Sequence, residues 1–369
     1  MTSSRLASGS RLVPRRTADR YMLIMLIGFA GSVLGTRAFL ALTGYPQIGG
    51  GTLHIAHALW GGLLLFLAAL VPLLVVNRTA LLWAALLTGV GAGLFIDEVG
   101  KFITVDNDYF FPAAAPIAYA VFLLAVLVYL QVRGARATDP RTQLHAVFEL
   151  LPDALDGRLS ERNRTELQRR LAAVTAHPDA GPLQPLTQAL QELSRPGVLP
   201  ARREYLGRLS WAEVTVRSWA DRVLTVGRLR TGLTVVLAAL GVLALSDLTV
   251  IVAIAVDLRD GATGQVLSTA NEYARVDIRG RRGVLLLLVR AVLDAGVGAA
   301  LLAAAVLLLR GAAQRATALA QTGLLASLSV VNLLVFYLEQ FAAAVSALVQ
   351  LGVLIAVQRY QRLRSDSTR

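Results

Sequence analysis

Asp97, Glu98, Lys101, Asp106 and Asp108 place four carboxylates and one amine within twelve residues of an apolar chain, in the run GLFIDEVGKFITVDNDYFF from Gly93 to Phe111. Two imidazoles stand upstream, His54 and His57 in the run LHIAH, and one guanidinium, Arg37, precedes them. Ionisable groups beside hydrocarbon are costly, so several together either neutralise one another or line a water-filled cavity with a task. Two neutral imidazoles and a carboxylate make a ligand set that leaves zinc a free position for water. His54, His57 and either Asp97 or Glu98 form that candidate set for a divalent metal such as zinc. The other acid would then be the general base, with Lys101 or Arg37 stabilising an oxyanion. Against this, HxxH lacks the HExxH context, and His145 and His177 belong to a different region. Without a metal, Asp97, Glu98 and Lys101 can exchange protons or bind an ion. The plainest arrangement makes Asp97 and Lys101 an i,i+4 ion pair, Asp106 and Asp108 solvated turn formers, and Tyr109, Phe110 and Phe111 part of an interfacial aromatic belt.

The elements that must position these groups are membrane helices. Over half of the 369 residues are hydrophobic, the mean hydropathy is +0.59, and the apolar residues fall in blocks of roughly 20, enough to cross ~30 Å of hydrocarbon. Backbone amides in lipid must be satisfied within a helix or a closed barrel, and unbroken Leu/Ala/Val runs without alternation select helices. The expected fold class is therefore all-α: a polytopic transmembrane helix bundle of about eight spans as 4+4, with a cytosolic helical insertion. The spans run from Tyr21 to Leu42, Leu53 to Val76, Ala80 to Ile103, Ala113 to Val132, Leu233 to Val256, Val284 to Leu309, Ala318 to Leu338 and Phe341 to Val357. The last is short, so seven spans is the alternative count.

The regions that follow are a basic N-terminal tail (1–20), a four-helix membrane region (21–132), the cytosolic helical domain (133–230), a second four-helix membrane region (231–358) and a basic C-terminal tail (359–369). The first apolar run is too long for a signal-peptide core and ends without a clear cleavage site, which predicts a retained helix. The net charge of +12 is no sign of nucleic acid, because the arginines flank hydrophobic blocks and orient them. The tail arginines, Arg78, Arg310 with Arg315, and Arg359, Arg362 and Arg364 share one side of the eight-span arrangement. That side is expected to be cytoplasmic, which places both termini there in a multi-pass protein of the cell membrane. The 133–230 stretch, with sixteen arginines against eleven acids, reads as a small helical domain that offers a surface to a cytosolic protein. Its charged helical face from Ser160 to Leu171 is bounded by Pro-containing breaks.

On this arrangement the ends of the first three spans bring Arg37, His54, His57, Asp97, Glu98 and Lys101 to the outer face. Lys101 is the only lysine, and an amine can lose its proton when desolvated where guanidinium cannot. Genomic bias toward arginine explains the same count. GxxxG patterns at Gly31/Gly35 and Gly89/Gly93 predict close helix approach. In the second half, Asp247 and Asp294 lie ~14–16 Å along their helices from the outer edge. With Arg290 and Glu339 they form either a structural salt bridge or a permeation path. Asn332 could line the same cavity, whereas Ser327 and Ser329 read as hydroxyls bonded to backbone carbonyls. A shift of 241 positions matches Phe95 with Phe336 and Glu98 with Glu339, as a duplicated repeat would. There is no cysteine, which excludes disulfides and thiolate sites, and no phosphate-binding glycine loop.

The runs GGTLHIAHALWGG (Gly50 to Gly62) and FIDEVGKF (Phe95 to Phe102) resemble a family of bacterial polytopic membrane proteins with no established activity. The resemblance implies a membrane bundle and no substrate. More loosely, the chain is similar to membrane hydrolases using histidines and an aspartate, though a third intramembrane histidine is missing. Three readings follow: solute or ion transport or ligand sensing, a membrane-embedded metal-dependent hydrolase, and a scaffold recruiting a cytosolic partner.

Overall fold

A computed structural model describes residues 13, 15–44, 56–106, 111–134, 139–155, 159–195, 225–246, 248–259 and 280–367. The described residues are helical, with no strand among them. In the first half they form α1 (Ala18–Thr43), α2 (His57–Leu74), α3 (Arg78–Asp97), the short α4 (Val99–Ile103) and α5 (Ala114–Gly134). Four small helices follow: α6 (Pro140–Phe148), α7 (Leu151–Leu155), α8 (Glu161–Thr175) and, after a 3₁₀ turn at Pro178–Leu183, α9 (Gln184–Leu193). The second half has α10 (Val226–Ser246), α11 (Leu248–Arg259), α12 (Gly280–Leu309), α13 (Ala313–Ala326), α14 (Asn332–Glu339) and α15 (Ala344–Ser367).

Among the described residues seven segments are long and apolar enough to cross a membrane: α1, α2, α3, α5, the 32-residue stretch Val226–Asp257 over α10 and α11, α12, and the 27-residue stretch Ala313–Glu339 over α13 and α14. The expected eighth span corresponds to α15. It is 24 residues long, but its apolar part ends at Val357, and Arg359, Arg362 and Arg364 follow, so by composition it falls short of the other seven. Two expected spans are also interrupted. The third breaks at Glu98, between α3 and α4. The seventh carries a π turn at Ser327–Val331 and ends in a 3₁₀ turn at Gln340–Ala343.

The chain divides into two compact units. One comprises 1–28, 64–89 and 124–213, the other 29–63, 90–123 and 214–369. In the first, α6 to α9 enclose a core of Leu144, Val147, Leu150, Leu167, Leu171 and Val174. Local signals start these helices: Asp139 accepts from the Thr142 amide ahead of Pro140, and Ser160 Oγ accepts from the Asn163 amide at 3.2 Å. The face from Ser160 to Leu171 is a helix as expected. The helix expected from about Ala201 lies outside the described residues until Val226.

The second unit is held by α10, α12, α13 and α15 around Leu237, Leu301, Leu308, Leu324 and a run of alanines, including Ala304, Ala316 and Ala320. Small residues bring backbones together where lipid offers no hydrophobic drive between helices. Gly241 and Gly298 show this reciprocally, since a Cβ on either would lie 2.8–2.9 Å from the other's carbonyl oxygen. The end of α12 is closed by Gly311 at φ +81°, with Ala312 N donating to Leu307 O, and by Arg230, whose guanidinium donates to Leu308 O and Leu309 O at 3.1 Å.

Candidate functional site

Asp97 is the last residue of α3, and its side chain is fully buried. Arg37, six residues before the end of α1, donates from Nε to Asp97 Oδ1 at 2.6 Å and from Nη2 to the Asp97 carbonyl at 3.2 Å. The guanidinium thus closes the helix end and pairs its terminal carboxylate together. The other carboxylate oxygen, Oδ2, lies 3.1 Å from His57 Nε2. His57 opens α2, and its second ring nitrogen, Nδ1, is 3.7 Å from Glu98 Oε1.

Glu98 holds the break between α3 and α4, with φ −92° and ψ 10°. Its side chain is 1% exposed and fully engaged: Oε1 takes the Lys101 ammonium at 2.6 Å, and Oε2 accepts the Ala58 amide of α2 at 2.8 Å. Glu98 therefore caps a neighbouring helix N-terminus, where a carboxylate meets both an orphan donor and the positive end of the macrodipole. The result is a chain of contacts, Arg37 to Asp97 to His57 to Glu98 to Lys101. Two carboxylates face two fixed cations, with an imidazole between them.

The expected i,i+4 relation of Asp97 and Lys101 presumed one continuous helix. The break at Glu98 interrupts it, and Lys101 meets Glu98 at i,i+3 instead of through a shared helical face with Asp97. Asp106 is exposed beyond α4. His54 and Asp108 lie outside the described residues. Among the described residues no group of three or more His, Asp or Glu side chains is arranged to hold a metal. Among their described contacts, the Asp97 oxygens meet Arg37 and His57, and those of Glu98 meet Lys101 and Ala58.

Glycine packing sets these helices in place. A Cβ on Gly93 would collide with Ser32 Oγ and lie 2.8 Å from Phe29 O, and one on Gly61 would lie 2.7 Å from Gly91 O. The Gly89/Gly93 pattern is thus a contact surface, as Gly89 would likewise meet the Met25 carbonyl. Among the described residues nothing lies within 4 Å of a Cβ at Gly31 or Gly35, so the first GxxxG pattern makes no close approach to another described helix.

Of the second set, Arg290 Nε is 3.3 Å from Asp294 Oδ2 and its Nη1 is 2.8 Å from Glu339 Oε1. Asp247 lies outside the described residues. Glu339 precedes the 3₁₀ turn with φ −115° and ψ 0°, close to the conformation of Glu98, its counterpart at the 241-residue shift. Asn332 belongs to another network: its Nδ2 donates to Gln350 Oε1 at 3.0 Å and to Tyr119 Oη at 3.4 Å. Ser327 Oγ also donates to Gln350 Oε1 at 3.0 Å, where a backbone carbonyl was expected, while Ser329 Oγ does bond the Leu325 carbonyl. Sequence reasoning did not single out Tyr119, Gln350 or Phe341. The ring of Phe341 lies under the Arg37 guanidinium at 4.0 Å, and a lone aromatic in an apolar run gives no signal of that.

The fold and the site together define a multi-pass integral membrane protein whose apolar helix faces contact the bilayer. No family model matches the chain, and neither a curated protein nor a solved structure is detectably similar to it.

Proposed function

We propose that the protein transports a solute or ion, or senses a ligand, across the cell membrane through the site of Arg37, His57, Asp97, Glu98 and Lys101. The observation that carries this reading is the position of His57, between two buried carboxylates that are each also held by a cation. Imidazole is the side chain that most readily changes charge near neutral pH. A proton, cation or anion entering here alters a balanced set of charges and forces the pairs to re-form, which is what a transporter or sensor requires of its binding site. The break at Glu98 supports the same reading, since irregular backbone at membrane depth is tolerated where it is enclosed by protein or lines a cavity. The distribution of arginines supports a position of this site on the outer face, with both termini in the cytoplasm.

The test is flux in proteoliposomes carrying a trapped pH-sensitive dye, with an imposed proton gradient and candidate cations added outside. The expected result is a proton-linked or cation-linked flux that falls at least tenfold in Asp97→Asn and in Glu98→Gln. A flux indifferent to both substitutions overturns the role given to the site.

A further inference from the structure

The described residues before α1 include a guanidinium whose Nε is desolvated without an acceptor. Arg16 Nε is buried with no hydrogen-bond partner. Its backbone amide donates to Glu149 Oε2 at 3.0 Å, so the neighbouring carboxylate engages the main chain of Arg16. A second nearby carboxylate, Asp153, is held by Arg78 Nη1 at 2.9 Å. Arg170, the third guanidinium of the group, is held by Glu166 at 2.6 Å and by Gln143 Oε1 at 2.8 Å.

Arg16, Arg78 and Arg170 thus gather with three carboxylates, Glu149, Asp153 and Glu166, each of which already has a donor, and Arg15 Nη1 also lies 3.9 Å from Glu149 Oε1. The proton affinity of Arg16 is lowered, first by burial and then by Arg78 and Arg170, with Glu149 and Asp153 acting in the opposite sense. A guanidinium has five donors and is not deprotonated in proteins, so a buried one whose Nε meets no protein acceptor leaves a place for an acceptor from outside the chain, best of all an anion.

The placement specifies the chemistry. Arg16 stands two residues before α1, and Arg78 is the first residue of α3, so both lie where a membrane-crossing helix begins. Tyr21, one turn into α1, interacts with Arg78, in the manner of interfacial aromatics. At that level the abundant anions are phosphate groups, for which planar guanidinium forks are the preferred ligands. Basic pockets beside membrane helices take such headgroups.

We propose that Arg16, Arg78 and Arg170 form a binding site for a phosphate group, supplied by the headgroup of an anionic phospholipid in the leaflet where α1 and α3 begin. The small helices α6 to α8 supply Gln143, Glu149, Asp153 and Arg170 to this site, so a bound headgroup ties them to that leaflet.

The experiment measures thermal unfolding of the purified full-length protein in a neutral detergent, with added phosphatidylglycerol, phosphatidylcholine or inorganic phosphate. Phosphatidylglycerol is expected to raise the midpoint by roughly 5 °C over phosphatidylcholine at saturation. Arg16→Gln should lose at least half of that rise. Arg133→Gln, which removes an exposed charge at the end of α5, should keep it. Because Arg16 carries its charge at a cost, Arg16→Gln with phosphatidylcholine alone should unfold no earlier than the parent, so loss of the rise is not loss of folding. A full rise in Arg16→Gln, or an equal loss in Arg133→Gln, overturns the proposal. A rise produced by inorganic phosphate alone and abolished by Arg16→Gln supports the phosphate site and overturns its assignment to lipid.

Discussion

The guanidinium of Arg37 lies over the ring of Phe341 with its carbon 4.0 Å from the ring centroid, while its Nε holds Asp97 at 2.6 Å. Phe341 sits in the 3₁₀ turn Gln340–Ala343, directly after Glu339, which takes Arg290. The 3₁₀ turn and the residue just before it therefore touch both charged groups of this unit. The face of the ring holds the cation of the first, and the preceding carboxylate holds the cation of the second.

Replacing Phe341 by Leu keeps apolar bulk and removes the ring quadrupole. The expected cost is about 1 kcal/mol, the scale of a partly desolvated cation–π contact. Phe341→Tyr should retain most of it. Detergent unfolding curves of the three proteins check this, and a Phe341→Leu protein as stable as the parent shows that the contact is passive. The same substitution should reduce flux in the assay for the site, since Arg37 loses the surface that holds it against Asp97.

Asp97→Asn removes the carboxylate charge that faces Arg37 Nε and leaves His57 with Glu98 as its nearer described carboxylate. Removing one member of a buried ion pair costs about 3 kcal/mol. The more specific expectation concerns the double change with Arg37→Met. If the pair acts as a unit, the combined loss falls short of the sum of the single losses by about 1–3 kcal/mol. Additive losses in that double-mutant cycle contradict the pairing.

Glycines at equivalent spacing on two helices should respond in opposite ways. At Gly93 any side chain meets Ser32 and the Phe29 carbonyl, so Gly93→Leu is expected to cost about 2–3 kcal/mol, because backbone on the facing helix cannot yield. At Gly31 none of the described residues lies within 4 Å of an added Cβ, and Gly31→Ala should be neutral or stabilising by up to about 1 kcal/mol through helix propensity. Midpoints of unfolding for the two variants decide the matter.

This contrast shows where the sequence was legible. Hydropathy and length placed α1, α2, α3, α5 and α12 to within a few residues, because burial in lipid imposes a composition that no other environment demands. The same apolar continuity hid the interruptions. Nothing in the run from Ala80 to Ile103 distinguishes a helix that breaks at Glu98 from one that continues, since the break is stabilised by Ala58 and Arg37, both distant in sequence. The spacing of Asp97 and Lys101 consequently suggested a local pair, where the structure joins residues up to sixty positions apart. The arginines around Arg16 read as a topology signal. Their convergence depends on Glu149 and Asp153, which arrive from the small helices and which no periodicity connects to α1.

The π turn at Ser327–Val331 offers the sharpest test of a polar network inside the bundle. A π turn loosens the regular hydrogen bonding of a helix, and such turns recur at functional sites. Here Tyr119 of α5 donates its hydroxyl to the Leu328 carbonyl at 2.6 Å, accepts from Asn332, and stacks on Phe336 with centroids 4.3 Å apart. Gln350 of α15 closes the network by accepting from both Ser327 and Asn332. Tyr119→Phe preserves the stacking and deletes one donor and one acceptor, so the loss belongs to the hydrogen bonds alone, at about 1–2 kcal/mol. If the tyrosine holds the wide turn open, deleting Val330 to restore an ordinary helix should make the chain less sensitive to Tyr119→Phe. Hydrogen exchange of the amides from 327 to 336 reads this directly. Faster exchange there in Tyr119→Phe, with unchanged exchange in α10 and α12, is the expected result, and uniform protection across all three regions contradicts it.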